Sequence, residues 1–197
     1  MTPRAIASCL GAFFCLLILG CGDGQAERIP SPTHDLGPAK RFKDFSLYYL
    51  GPAYRGLPMT TDGAVALREY APGLFIPFTY GQCTPDPGED GGSCHPPVEI
   101  LNYPACSPRL KGPPFATRLV QIRGVKAGIF YDASVFSGIR VATGRTVVVI
   151  HAATPARALA IARRLRSIDG RVSTNARLPG PEKLAGSTRV RLCGSGA

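Results

Sequence analysis

The chain has 197 residues, 23 basic and 13 acidic side chains, and a 45% hydrophobic content, enough apolar material for a buried core and against wholesale disorder. Its 23 glycines and 19 prolines argue for strands and loops rather than a helical bundle. Charge is unevenly placed: residues 22–110 hold 7 Lys or Arg against 10 Asp or Glu, whereas residues 111–197 hold 15 against 3. A basic half of that strength attracts anionic lipid, nucleic acid or acidic cell-wall polymer without specifying any of them.

At the start, Arg4 precedes an apolar stretch over 5–20 that includes Leu10, Phe13, Phe14, Leu16, Leu17, Ile18 and Leu19. Its length suits the apolar part of an export signal better than a spanning helix, which needs about 20 such residues. The stretch ends in Ile18-Leu19-Gly20-Cys21. This tetrapeptide resembles the lipobox of bacterial lipoproteins, with an aliphatic residue three positions before a cysteine and a small residue directly before it. The resemblance implies cleavage after Gly20, leaving 1–20 as signal peptide, and a diacylglycerol on the Cys21 thiol. An ordinary cleaved signal and a retained anchor fit the same residues. In every version the body is exported, to the outer face of the cytoplasmic membrane or the cell envelope, and the lipid form has the membrane as its partner. Residues 21–42 lack periodicity and read as a flexible tether, with His34 solvated inside it.

A domain over 43–170 follows, divisible into subunits 43–110 and 115–170. Asp44 to Leu50 is rich in aromatic and aliphatic residues and predicts a strand ending at Gly51-Pro52. Ala64 to Tyr70 fits strand or short helix. Leu74 to Tyr80 predicts a strand that Pro77 pushes towards a sheet edge, with Val98 to Tyr103 as its neighbour. Leu119 to Arg123 and Val125 to Tyr131 read as strands around Gly124. Ile139 to Thr143 and Thr146 to Ile150 predict a hairpin whose Gly144-Arg145 loop suits a type II′ turn. The all-apolar run Val147 to Ile150 predicts burial on both faces.

Thr154-Pro155 then opens a helix, as N-cap and first helical residue. Ala158, Ile161, Ala162, Leu165 and Ile168 form its apolar stripe, and Gly170 closes it. Residues 171–197 read as a loose basic tail. Together these elements predict an α+β domain: a small, mostly antiparallel sheet with one C-terminal helix packed on it, a disordered N-terminal tether and a C-terminal tail. The layout resembles uncharacterised exported proteins of high-GC bacteria, in Tyr49-Leu50-Gly51-Pro52 with Gly56-Leu57-Pro58 and in Tyr80-Gly81-Gln82-Cys83. That resemblance implies no activity.

Export places Cys83, Cys94, Cys106 and Cys193 in an oxidising compartment, where disulfides come before metal. The expected bridge is Cys83–Cys94, closing an acidic, turn-rich loop and stabilising by roughly 2–3 kcal/mol. Cys106 could equally take Cys94, and Cys193 pairs late or stays free. A zinc site from Cys83, Cys94, His95 and Cys106 lacks the short Cys-x-x-Cys knuckle. A Cys94 nucleophile beside His95 lacks a group to orient the imidazole. His151 reads as a packing residue before a catalytic one, and Asp86, Glu89 and Asp90 lack the ligand spacing of a calcium loop. No Walker loop, Gly-x-Ser-x-Gly elbow or His-Glu-x-x-His occurs, so no cofactor, metal or catalytic residue is expected.

Arg157, Arg163, Arg164 and Arg166 on the helix offer a contact for anionic lipid or wall polymer, each worth about 1 kcal/mol. With a lipid anchor they would make two membrane signals; they also read as an ordinary solvated face. Nucleic acid is not expected, because export separates the protein from it and the aromatics lie mainly in the acidic half. The expected function is a non-catalytic, lipid-anchored envelope protein acting by binding or structural association. The alternative is a secreted hydrolase or zinc-dependent enzyme using the Cys94, His95 and His151 region.

Overall fold

Alternating side-chain burial along seven-residue strands builds the sheet that organises this protein. The computed structural model describes residues 34–85, 94–110, 118–131 and 137–194, with backbone alone at 84, 85 and 94. Residues 1–20, Cys21 and the segment bearing Asp86, Glu89 and Asp90 lie outside the described residues. In chain order the elements are α1 (Gly37–Arg41), β1 (Tyr48–Tyr49), β2 (Ala53–Tyr54), β3 (Leu57–Thr61), α2 (Ala64–Arg68), β4 (Ile76–Tyr80), β5 (Thr84–Pro85) and β6 (Cys94–His95). There follow β7 (Val98–Pro104), β8 (Arg118–Ile122), β9 (Val125–Tyr131), β10 (Ser137–Thr143), β11 (Thr146–Ala152), α3 (Pro155–Ala162), β12 (Arg166–Ser167) and α4 (Gly186–Cys193).

Eight strands form one antiparallel sheet in the order β2-β3-β4-β7-β11-β10-β9-β8, with two-stranded ladders β1–β12 and β5–β6 beside it. This is the mostly antiparallel α+β architecture expected. The β7–β11 ladder joins the acidic half of the sequence to the basic half, so one sheet runs through both suggested subunits. Gly144, at φ +53°, forms the tight turn between β10 and β11. Because Arg145 keeps a negative φ, the turn has the type II′ pattern.

Register stacks like with like. Phe78, Ile100, Ile150, Ile139 and Ile129 lie side by side across five strands, all buried. Helix α3 covers this face through Ala158, Ile161 and Ala162. Thr154 caps it, its Oγ1 accepting the Arg157 N–H at 3.2 Å. The helix ends at Ala162 rather than near Gly170. Beyond it Arg166 and Ser167 pair with Tyr49 and Tyr48, and the Ile168 N–H donates to Leu47 O at 2.9 Å. Leu165 and Ile168 are buried as the stripe requires, but a strand supplies their backbone bonds.

One polar side chain interrupts the next buried row. Asn102, fully buried, lies between Ile76 and Val148. Its Oδ1 accepts the Tyr48 N–H at 2.8 Å, and its Nδ2 donates to Tyr48 O at 3.0 Å and to Ile76 O at 3.3 Å. The carboxamide thus replaces a peptide unit and lets the short β1 cross over the sheet. Thr146 Oγ1 donates to Ser46 O at 2.7 Å, and the Leu50 N–H donates to the Tyr80 hydroxyl at 2.9 Å. Side chains therefore satisfy the segment read as a longer strand over 44–50, and only Tyr48–Tyr49 is a strand.

Pro77 is not on an edge strand: β4 lies between β3 and β7. The β3 ladder reaches only Tyr80 and Thr79, so the strand is unpaired on that side where the proline sits, and no bond is lost. Part of the segment read as a tether is built into the fold: α1 falls within it and Ala39 is buried. His34 is not idle; its Nε2 lies 2.6 Å from Met59 O and its Nδ1 3.4 Å from Asp62.

The segment read as a loose tail is built into the fold. Val172, Leu178, Leu192 and Cys193 are buried. Arg123, itself at φ +48°, donates to the carbonyls of Leu165, Ala176 (2.6 Å) and Ser173 (2.5 Å). Glu182 N–H donates to Gly144 O at 2.8 Å. Helix α4 is fixed by the Cys106–Cys193 disulfide, which closes a separation of 87 residues, and by Gly73 N–H donating to Leu192 O at 2.8 Å. Cys193 is therefore not free, and Cys106 is not the partner of Cys94. The tail looked patternless because arginine carbonyl clamps and a covalent bond, not hydrophobic periodicity, hold it.

Two outcomes test this account. Asn102→Ala strands the buried N–H and C=O of Tyr48, and urea denaturation is expected to show a loss of about 2–4 kcal/mol. Replacing both Cys106 and Cys193 with serine releases a long loop in the unfolded chain and is expected to cost roughly 4–5 kcal/mol by the same measurement.

Candidate functional site

The sheet face opposite α3 carries the chemistry. Its buried apolar centre is Leu101, Phe130, Val147 and Val149. Two rows cross it. The first runs Thr79, Glu99, His151, Gly138, Phe130, and the second Pro77, Leu101, Val149, Arg140, Gly128, Leu119.

In the first row Glu99 and His151 are direct cross-strand partners, a relation that places Cβ atoms about 4.5–5.5 Å apart. Burial pushes the Glu99 carboxyl above the ordinary glutamate range, and the charge of the nearby His95 works partly against this. His95 sits on the short ladder with β5, opposite Thr84. The ring of His151 meets Phe130 edge-on at 5.8 Å. Gly138 is required there: a Cβ on it would lie 2.1 Å from the Phe130 ring. His95 and His151 therefore both border Glu99, a residue sequence reasoning passed over although the alternation Val98, Glu99, Ile100 placed it outward. Among the described residues no group of three or more His, Cys, Asp or Glu is arranged to hold a metal ion.

The second row makes a hollow. Gly128 has no side chain, and its cross-strand neighbours are Arg140 on β10 and Leu119 on β8. Lys126 and Phe130 flank it along β9, and Ala142 adds a small wall. The resulting cavity is about 270 Å³. Leu119 is 69% exposed at its rim. Arg140 Nη1 donates to Leu110 O at 3.3 Å, whereas its buried Nε has no hydrogen-bond partner among the described residues. A second hollow of about 510 Å³ lies at the other end of this face, lined by Asp62, Glu69, Val65 and Phe75 among others, and carries no cation.

The remaining sequence candidates are spread apart. Cys83 is disulfide-bonded, and the side chain of Cys94, its expected partner, lies outside the described residues. Arg163 and Arg164 are exposed just past the end of α3, and Arg157 is half-buried in its first turn. Arg166 leaves the group: it lies on β12 with its guanidinium 5.0 Å from the centre of the Tyr49 ring. Folded against an aromatic face, it is occupied within the domain. No helix among the described residues is long and apolar enough to cross a membrane. Comparison with protein-family models, curated proteins and solved structures finds no match.

The elevated Glu99 pKa has a definite sign. Stability from this group is fully present below its unfolded-state pKa and is lost as pH rises through the higher folded-state value. Glu99→Gln is therefore expected to raise the melting temperature at neutral pH relative to wild type and to leave it nearly unchanged in acid, as thermal denaturation at the two pH values reads directly.

Proposed function

We propose that this protein is exported and held in the cell envelope by a lipid on Cys21, and that its domain acts by binding or structural association rather than catalysis. The observation that carries this reading is the Cys106–Cys193 disulfide, together with the oxidised state of Cys83. Structural disulfides persist in oxidising compartments and are rare in reducing ones. The Ile18-Leu19-Gly20-Cys21 segment supplies the export and acylation signal that such a location requires. Exposed Arg163 and Arg164 are suited to anionic headgroups or wall polymer, as a second contact beside the lipid.

The alternative is a secreted hydrolase or zinc-dependent enzyme using Cys94, His95 and His151, favoured by the way His95 and His151 both border Glu99. Detergent-phase partitioning separates lipid-anchored from soluble protein. Wild type is expected in the detergent phase and Cys21→Ala in the aqueous phase, with intact mass showing loss of residues 1–20 and gain of a diacylglycerol. Identical partitioning of the two proteins removes the anchor, and stoichiometric zinc with free Cys83 and Cys94 thiols favours the enzyme.

A further inference from the structure

We propose that the hollow over Gly128 binds a small amphipathic anion: an oxyanion, carboxylate or phosphate monoester, attached to a short apolar group. This goes beyond the envelope reading and does not depend on it, since it holds whether or not Cys21 is acylated.

The argument starts from a cation in an unusual position. Arg140 is mid-strand and half-buried on the face opposite α3, with the buried Val149 as its partner on β11. Placing a guanidinium in such a setting is unfavourable unless its donors are used and its charge is balanced. Of its five N–H donors, Nη1 makes one long bond to a carbonyl and the buried Nε makes none among the described residues. Neither Arg140 nor Lys126 forms an ion pair among the described residues. By contrast, Arg123 spends its donors on three carbonyls and is plainly structural.

The register then says what the space accepts. Arg140 and Leu119 stand on either side of Gly128, and Lys126 lies two residues along the same strand, on the same face. A ligand seated over Gly128 meets a guanidinium on one side and an ammonium at one end. Leu119 and Phe130 supply its apolar surroundings. The planar fork of arginine matches carboxylate or phosphate, and the lysine adds charge without geometry. At about 270 Å³ the cavity lies just below the usual range for ligand pockets, which suits a short-chain anion.

Calorimetric titration of the purified full chain tests this with four probes: hexanoate, hexyl phosphate, inorganic phosphate and hexanol. Hexanoate or hexyl phosphate is expected to bind, more weakly as salt is added. Hexanol and inorganic phosphate are expected to bind at least about tenfold less well, each lacking one half of the recognised chemistry. The tighter of the two amphiphiles names the oxyanion. Lys126→Gln changes an exposed side chain and is expected to weaken binding about tenfold; Ala142→Leu fills the hollow and is expected to abolish it. Arg140→Gln is expected to lose binding too, but the other two variants decide the matter if it does not fold. The proposal is overturned if neither amphiphile binds wild type, if Lys126→Gln and Ala142→Leu bind as wild type does, or if inorganic phosphate binds as tightly as hexyl phosphate.

Discussion

The fold depends on one carboxamide. Asn102 stands in a row otherwise built of Ile76, Val148, Val141 and Ala127, and its three hydrogen bonds satisfy Tyr48 and Ile76. A buried amide without partners would cost several kcal/mol. Here both of its polar atoms are used, and in turn they anchor β1. Through β1, Ser167 and Arg166 gain their ladder, and the chain past α3 is turned back over the sheet. The Tyr48 hydroxyl lies 3.3 Å from Thr143 Oγ1, which donates to Pro179 O at 2.8 Å. Burial raises the Tyr48 pKa, and the hydrogen bond to Thr143 works partly against it. A polar thread thus runs from the middle of the sheet to the C-terminal segment.

What sequence could reveal follows from how each element is stabilised. Strands with alternating burial, such as β4, β7, β9 and β10, announce themselves because the pleat turns hydrophobicity into a period. The β10–β11 hairpin is equally legible through Gly144. Segments held by side-chain-to-backbone bonds leave no such mark. Arg123 reads only as the end of a strand until its donors are seen on Leu165, Ala176 and Ser173. The stripe continuing through Leu165 and Ile168 predicts too long a helix, because a buried residue after a helix is spaced by coincidence like one within it. Glu99 and Arg140 were each visible as a charge inside an alternating strand. Their meaning lies in cross-strand neighbours, which no local pattern encodes.

The two faces of the sheet use charge in opposite ways. Against α3, Asn102, Thr143 and Thr146 hydrogen-bond backbone groups, and the result is cohesion. On the other face, Glu99 is held above its ordinary pKa by burial and Arg140 keeps donors unspent. Such incomplete satisfaction is costly to stability and is common where proteins meet ligands. The two charges lie on rows two residues apart along β10 and its neighbours, with His151 beside the acid and Gly128 beside the base.

The covalent link between Cys106 and Cys193 encloses β8, β9, β10, β11 and α3 in a single ring. A backbone nick anywhere within that ring leaves both fragments tethered, and the sheet continues to hold them in register. Proteolytic damage at a loop there would be silent in a size measurement until thiols are reduced. The molecule is therefore tolerant of cleavage in its basic half, whereas a cut between Leu36 and Tyr80 lies outside that ring.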